Sequence, residues 1–282
     1  MKNQITPVKL LCAVISLFFS ANAFSQTIYV DVSATGSDNG SSWTNAHEDL
    51  QPALDAASAG DAIWVAKGTY LPTESPDGTT TDVRDRAFHL NTNIVFWGGY
   101  PTGGGTRNAA SNTTILSGDL GGTNTDSCYH VLITANLTSA AEIDGFTIQA
   151  GRADGTISTI SYASLSFERY AGGGMFNSSS SPKVTNVTFS SNTANYGGGM
   201  TNITSSPTLT NLMFSSNTAA YDGGGMLNSP SSPTLANVTF SSNTAARNGG
   251  GIYNYSSSPS LANVTFSSNI AYDGSVMYNF FF

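Results

Sequence analysis

The densest set of groups that could do chemistry is Asp82-Val83-Arg84-Asp85-Arg86, with Glu74 and Asp77 just before it in a Gly/Pro/Thr loop. Carboxylates close to guanidinium groups can serve acid-base work, but opposite charges this near in sequence also satisfy one another. The expectation is a solvated loop with internal ion pairs, and no catalytic residue is assigned to it. Ser37-Asp38-Asn39-Gly40 begins like a Ca²⁺-binding loop yet lacks the later bidentate Glu, so it reads as a turn. His47, His89 and His130 are scattered without ligand spacing, which gives zinc no support. Cys128, flanked by Ser127 and Tyr129, reads as a core residue. The catalytic, cofactor-binding and metal assignments are therefore none, with Ca²⁺ the one ion to which any segment points.

Composition narrows the partners. The chain has a net charge of −8, and two of its ten basic residues, Lys2 and Lys9, fall in the first 23 residues. Those residues read as a signal peptide: a positive start, an apolar run from Leu10 to Phe19, and small residues at Ala21-Asn22-Ala23. The run is too short to span a membrane, and no membrane-spanning segment is expected after it. Nucleic acid and anionic membrane surfaces are poor partners for so acidic a protein. No linker interrupts the rest, so residues 24–282 are expected to form one domain.

That domain must be built from the repeat that fills its second half. AGGGMFN, YGGGMTN, DGGGMLN, NGGGIYN and DGSVMYN place Met175, Met200, Met226, Ile252 and Met277 at steps of 25, 26, 26 and 25 residues. Between them recur a proline (Pro182, Pro207, Pro233, Pro259), a phenylalanine of FSSN (Phe189, Phe214, Phe240, Phe266) and its asparagine (Asn192, Asn217, Asn243, Asn269). β-Branched and aromatic residues bounded by Asn, Gly and Pro, without helical apolar spacing, give short strands separated by turns. Leu209 and Leu212 both point inward only if the chain bends between them, and Asn211 tolerates the left-handed backbone that such a corner needs. Asn186, Asn237 and Asn263 repeat the arrangement, and the glycines supply a further corner.

A single block cannot fold alone. About four apolar side chains at roughly 1.5 to 3 kcal/mol each do not offset the ordering of some 25 residues at about 1 to 2 kcal/mol apiece. Stacking supplies the remainder: Met lies on Met, Phe on Phe, and Asn amides bond in ladders. The fold expected is all-β, a single-stranded right-handed parallel β-helix with three short strands per coil and about 25 residues per coil.

Residues 171–282 are its regular coils and residues 24–170 its irregular ones. Strand-like runs in the latter are Ile63 to Tyr70, Phe88 to Tyr100, Thr113 to Gly118, Tyr129 to Ala135 and Ala141 to Ile148, with an insertion at 152–170. Asn45 followed three positions later by Glu48, with Leu50, Leu54 and Ala57 on one face, predicts a short N-terminal capping helix over 46–58. The sequence stops at Asn279-Phe280-Phe281-Phe282 inside a fifth block, as though truncated, and the exposed last coil is expected to pair with another chain or to continue.

The Gly-Gly-Gly-Met and Phe-Ser-Ser-Asn segments at this period resemble the GGA(I/L) and FxxN repeats of chlamydial polymorphic outer-membrane proteins. SWTNAHEDLQPALDAASAGDAIWVAKGTYLPT, ILSGDLGG and IDGFTI are similar to the opening of secreted bacterial β-helix proteins of the pectin-lyase-like class. The resemblance implies a bacterial protein, secreted or on the cell outer surface, and adhesin-like. Polysaccharide lyases of this class hold Ca²⁺ with a carboxylate patch and use Arg or Lys as base. From Gly172 onward the charged residues are Lys183, Asp222, Arg247 and Asp273, too thin a set for such a patch. The function expected is therefore non-catalytic contact with a surface glycan or a host or neighbouring cell-surface component. The alternative is a carbohydrate-active enzyme, a lyase or hydrolase, with its site in the loops of residues 70–130.

Overall fold

The computed structural model describes residues 25–79, 82–121, 126–156 and 158–281. The signal-peptide expectation for residues 1–23 lies outside them. Every pairing within the stack is parallel and joins each strand to its equivalent one coil away, so the chain is a parallel β-helix. An eight-stranded first sheet runs from Thr27–Val30 to Ser260–Ala262. The seven-stranded second sheet runs from Gly68–Tyr70 to Thr265–Ser267, and the seven-stranded third from Phe88–Leu90 to Met277–Phe280.

The corner expected between the first two sides is present. Asn186, Asn211, Asn237 and Asn263 have φ of 52°, 55°, 56° and 53°, and Leu209 and Leu212 on either side of Asn211 are both buried. A second corner falls on the second serine of FSSN, Ser191, Ser216, Ser242 and Ser268, all with positive φ. Between it and the glycines lies a short four-stranded sheet, Arg152–Ala153, Thr193–Tyr196, Thr218–Asp222 and Thr244–Ala245, that the three-sided reading did not include. Each glycine triplet then serves two purposes. Gly197 and its equivalents turn the chain at positive φ, whereas a Cβ on Gly199 would sit 2.6 Å from the Gly225 carbonyl oxygen and 2.9 Å from the Phe214 ring.

The interior consists of ladders. Met175, Met200, Met226, Ile252 and Met277 are in register along the third sheet. Phe189, Phe214, Phe240 and Phe266 stack nearly parallel at 4.8, 4.7 and 5.1 Å. Beside them Asn177 donates to Asn202, Asn202 to Asn228 and Asn228 to Asn254, each at 2.8 Å. Asn192 donates to Asn217 at 3.1 Å, and Asn217 to Asn243 at 2.9 Å. These amides are buried, so each hydrogen bond both removes a desolvation penalty and fixes the register of neighbouring coils.

Three runs read as single strands prove to be pairs meeting at a corner. Ala62–Ala66 and Gly68–Tyr70 lie on different sheets, as do Phe88–Leu90 and Val95–Tyr100, and Glu142–Asp144 and Phe146–Gln149. Gly68 and Gly145, both at positive φ, bend two of them, directly after Lys67 and Asp144.

The capping helix is present but shorter, Leu50–Ala56, with Asp49 at its N-cap and no side-chain cap bond. Asn45 is not its cap. Its carboxamide oxygen accepts the Ser37 amide and its carbonyl accepts those of Asn39 and Gly40, while His47 bridges to Val30. The loop had a better use for Asn45, and burial of Leu50, Ala53 and Leu54 in the core under the first coil holds the helix in place.

Candidate functional site

The charged loop of residues 82–86 forms one 3-10 turn, Val83–Asp85, in which the Asp82 carboxylate accepts the Arg84 amide at 2.9 Å. Its side chains do not pair internally as expected. Arg84 donates to the Ser127 and Arg152 carbonyls at 2.9 and 2.7 Å and to Asp154 at 2.5 Å. Arg169 clamps Asp85 with two hydrogen bonds of 2.6 and 2.7 Å, and Arg152 holds Asp154 at 2.6 Å. The Tyr129 hydroxyl donates to Asp82 at 3.2 Å, and the Arg84 guanidinium lies 4.1 Å over the Tyr129 ring. Three acids and three arginines thus converge, and half of them come from the insertion at 152–170 that the sequence left without a role. Glu74 and Asp77 stay exposed; Asp77 accepts hydrogen bonds from its neighbours Ser75 and Thr79.

The cluster is strongly polarised but internally balanced. Burial raises the Asp154 carboxyl, yet hydrogen bonds and charge from Arg84 and Arg152 outweigh it and hold the group below its ordinary value. Asp85 is 1 % exposed, and both its oxygens accept from Arg169. The arrangement fastens the insertion to the preceding coils. In that insertion Thr159–Tyr162 and Leu165–Glu168 form an antiparallel hairpin that lies on the outer face of the third sheet, where Phe167 meets Phe176 at 5.2 Å.

The remaining sequence candidates stay apart. Asp38, with φ 51°, accepts the Glu48 amide at 2.9 Å, and the loop is a turn. His89 is buried against Gln51, and His130 donates its Nδ1 proton to the Gly172 carbonyl. Burial pushes the Cys128 thiol up to about 12. Among the described residues no group of three or more His, Cys, Asp or Glu is placed to hold a metal ion. In the regular coils Asp222 is held by Arg247 at 2.9 Å and by the Asn248 carboxamide at 2.7 Å.

A groove beside the hairpin was not foreseen. It encloses about 770 Å³ between the insertion, the short fourth sheet and the third sheet. Tyr170, Tyr196 and Tyr221 form a row along it, their rings 5.8 and 5.1 Å apart, because successive coils place them in near register. Thr201, Ile203 and Leu227, outward-facing on the third sheet, form the floor, and burial raises the Glu168 carboxyl at the hairpin end. Arg247 lies 4.4 Å over the Tyr221 ring. The signal was in the sequence: ANYGGG and AAYDGGG set a tyrosine just before the glycines of consecutive blocks.

The profile of the Chlamydia polymorphic membrane protein repeat matches residues 237–255, which run from the Asn237 corner through FSSN to the Ile252–Tyr255 strand. That segment is similar to the repeat. A search of the curated proteins finds no match. Among solved structures, the crystal structure of pectate lyase Pel9A aligns over 85 % of this chain and 55 % of its own, at 14 % identity and a TM-score of 0.49. The chain thus spans about half the length of that structure. Among the described residues no helix is long and apolar enough to cross a membrane.

Proposed function

We propose that this is an exported, cell-surface β-helix protein that makes non-catalytic, adhesin-like contact with glycans. The observation that carries the reading is the groove with its row of three tyrosines. Tyrosines give amphipathic contact area at low entropic cost, and their hydroxyls give hydrogen bonds, the two things a polyol surface needs. The polymorphic membrane protein repeat supports a surface location. Fold alone supports neither part of the reading.

One observation favours an enzyme instead: Asp82, Asp85 and Asp154 converge with Arg84 and Arg169 in the loop region where a lyase or hydrolase site was the alternative. Against it stands the engagement of each acid by an arginine or a tyrosine hydroxyl. Incubation of the purified protein with pectate and alginate, with and without Ca²⁺, separates the two. The adhesin reading expects no unsaturated, ultraviolet-absorbing product together with retention on a glycan array. Appearance of that product would overturn it.

A further inference from the structure

The hairpin of the insertion is fastened to the stack by side chains. Thr159–Tyr162 and Leu165–Glu168 pair with each other and, among the described residues, with no strand of the stack. Phe167 rests on Phe176 at 5.2 Å, Tyr162 stands edge-on to His89 at 4.8 Å, and the Arg169–Asp85 clamp holds the base. At the tip Ala163 and Ser164 both have positive φ, 49° and 64°, where a two-residue hairpin turn normally carries Asn-Gly. A lone hairpin with so strained a tip does not keep its shape off the sheet.

We infer that the hairpin is an acid-released cover: protonation of His130, beneath the point where its second leg rejoins the stack, frees residues 159–168 while the coils stay folded. His130 is fully buried. Its Nδ1 donates to the Gly172 carbonyl at 3.0 Å, its ring stands edge-on to Phe176 at 5.6 Å, and among the described residues nothing bonds to its Nε2. Phe176 also carries Phe167, so ring and hairpin share one support. A proton on Nε2 would place a buried charge, with no hydrogen bond in place, near the Arg169 guanidinium. Burial above all, with the Arg169 charge, pushes the imidazole down to about 4, although the Gly172 and Ala171 carbonyls favour the charged ring.

The other titratable groups under the hairpin do not act this way. His89 has Asp55 3.8 Å from its Nε2, a carboxylate that a protonated ring would meet. Burial raises Asp154, but Arg84 and Arg152 outweigh it, so that acid keeps its charge; Asp85 has Arg169 as its partner, and Asp82 has the Tyr129 hydroxyl. Glu168 works in the opposite sense. Burial raises its carboxyl, so the docked hairpin takes up that proton before the open one does and acid favours docking. Glu168 is only partly buried, whereas His130 is wholly so, and the histidine dominates. Opening bares Ile133, Ala135 and Phe176, which continue into Ile203 on the groove floor, and takes Glu168 from the groove wall.

The test is limited proteolysis of the purified protein by thermolysin between pH 7 and pH 5, with rates divided by those of an unstructured peptide at the same pH. Cleavage follows the open population when reclosing is fast. With the docked ring titrating at about 4 and the freed ring at 6.5, cutting within residues 159–168 is expected to rise about twentyfold, while the regular coils stay uncut. His130→Gln retains an amide donor but no titrating proton and is expected to abolish the rise, whereas His89→Gln leaves it. Circular dichroism checks each fold. Where His130→Gln does not fold, the parent profile decides: a rise beginning near 6.5 and approaching tenfold per pH unit supports the cover, and one confined below about pH 5.5 belongs to carboxylates and overturns it. A flat parent profile, a rise retained in folded His130→Gln, or simultaneous cutting of the regular coils overturns it too.

Discussion

Phe214 lies flat on Phe240, with ring centroids 4.7 Å apart and planes 7° from parallel, although 26 residues separate them. Both are fully buried, and both belong to a column that also holds Phe189 and Phe266. Such a column couples coils: a gap in it removes contacts from the turn above and the turn below. Phe214→Ala is expected to cost about 3 to 5 kcal/mol, the range for a buried phenylalanine whose surroundings cannot collapse. Denaturant unfolding followed by circular dichroism measures it, and a loss below about 1 kcal/mol would mean that the column is not rigid.

The third glycine of each triplet tests the same stacking through the backbone. Gly199→Ala puts a methyl group 2.6 Å from the Gly225 carbonyl oxygen, so neighbouring coils must separate locally. Gly60→Ala meets no atom within 4 Å and is strained only by its φ of 89°. The first substitution is expected to lower the melting temperature well beyond the second, which should cost about 1 to 2 kcal/mol. Equal shifts would show that close approach between coils is not what requires glycine.

Arg169 should be the residue that keeps the hairpin down. Its removal leaves the buried Asp85 carboxyl without its clamp, at an expected cost of about 3 to 5 kcal/mol. Arg169→Ala should also open the insertion to limited proteolysis near residues 154–166 before the regular coils are cut. The double variant Arg169→Ala, Asp85→Ala should recover part of the loss, since it also removes the stranded carboxyl. Proteolysis that begins in the regular coils would argue against this clamp.

Stability should fall on acidification in a window set by His130. Burial pushes its imidazole from 6.5 down to about 4, against the hydrogen bond to the Gly172 carbonyl. In the unfolded chain the ring takes a proton near 6.5, while in the folded chain it stays neutral until about pH 4. The unfolded state therefore binds more protons between those values, and the stabilisation present above 6.5 is lost progressively as pH falls towards 4. A His130→Asn variant is expected to flatten the curve of unfolding free energy against pH in that window. An unchanged slope would assign the acid sensitivity to other groups.

Burial also predicts a silent thiol. With its pKa pushed up to about 12, Cys128 should resist iodoacetamide at pH 8 in the folded protein and react once denatured, in a chain whose Cys12 is replaced by Ser. Mass spectrometry distinguishes the two, and modification of the native protein would show that the first coils open readily.

By itself the sequence determined the period, the corner at Asn211, the inward columns of Met, Phe and Asn, and so the parallel β-helix. Those features are nearest-neighbour relations: a residue meets its own equivalent one coil away, and a repeated sequence states that contact each time it recurs. Even there, Ile63 to Tyr70 read as one strand, because a corner only one residue long, at the exposed Lys67, leaves strand-forming residues on both sides in one run. Only the tertiary structure decided where the non-repeating parts go. Arg169 meets Asp85 across 84 residues, and Arg84 meets Asp154 across 70, because two loops leave the same face of the stack. No local spacing encodes such a meeting. The groove depends on it as well, since the hairpin pinned by that pair forms one wall and the tyrosines of two regular coils supply the other.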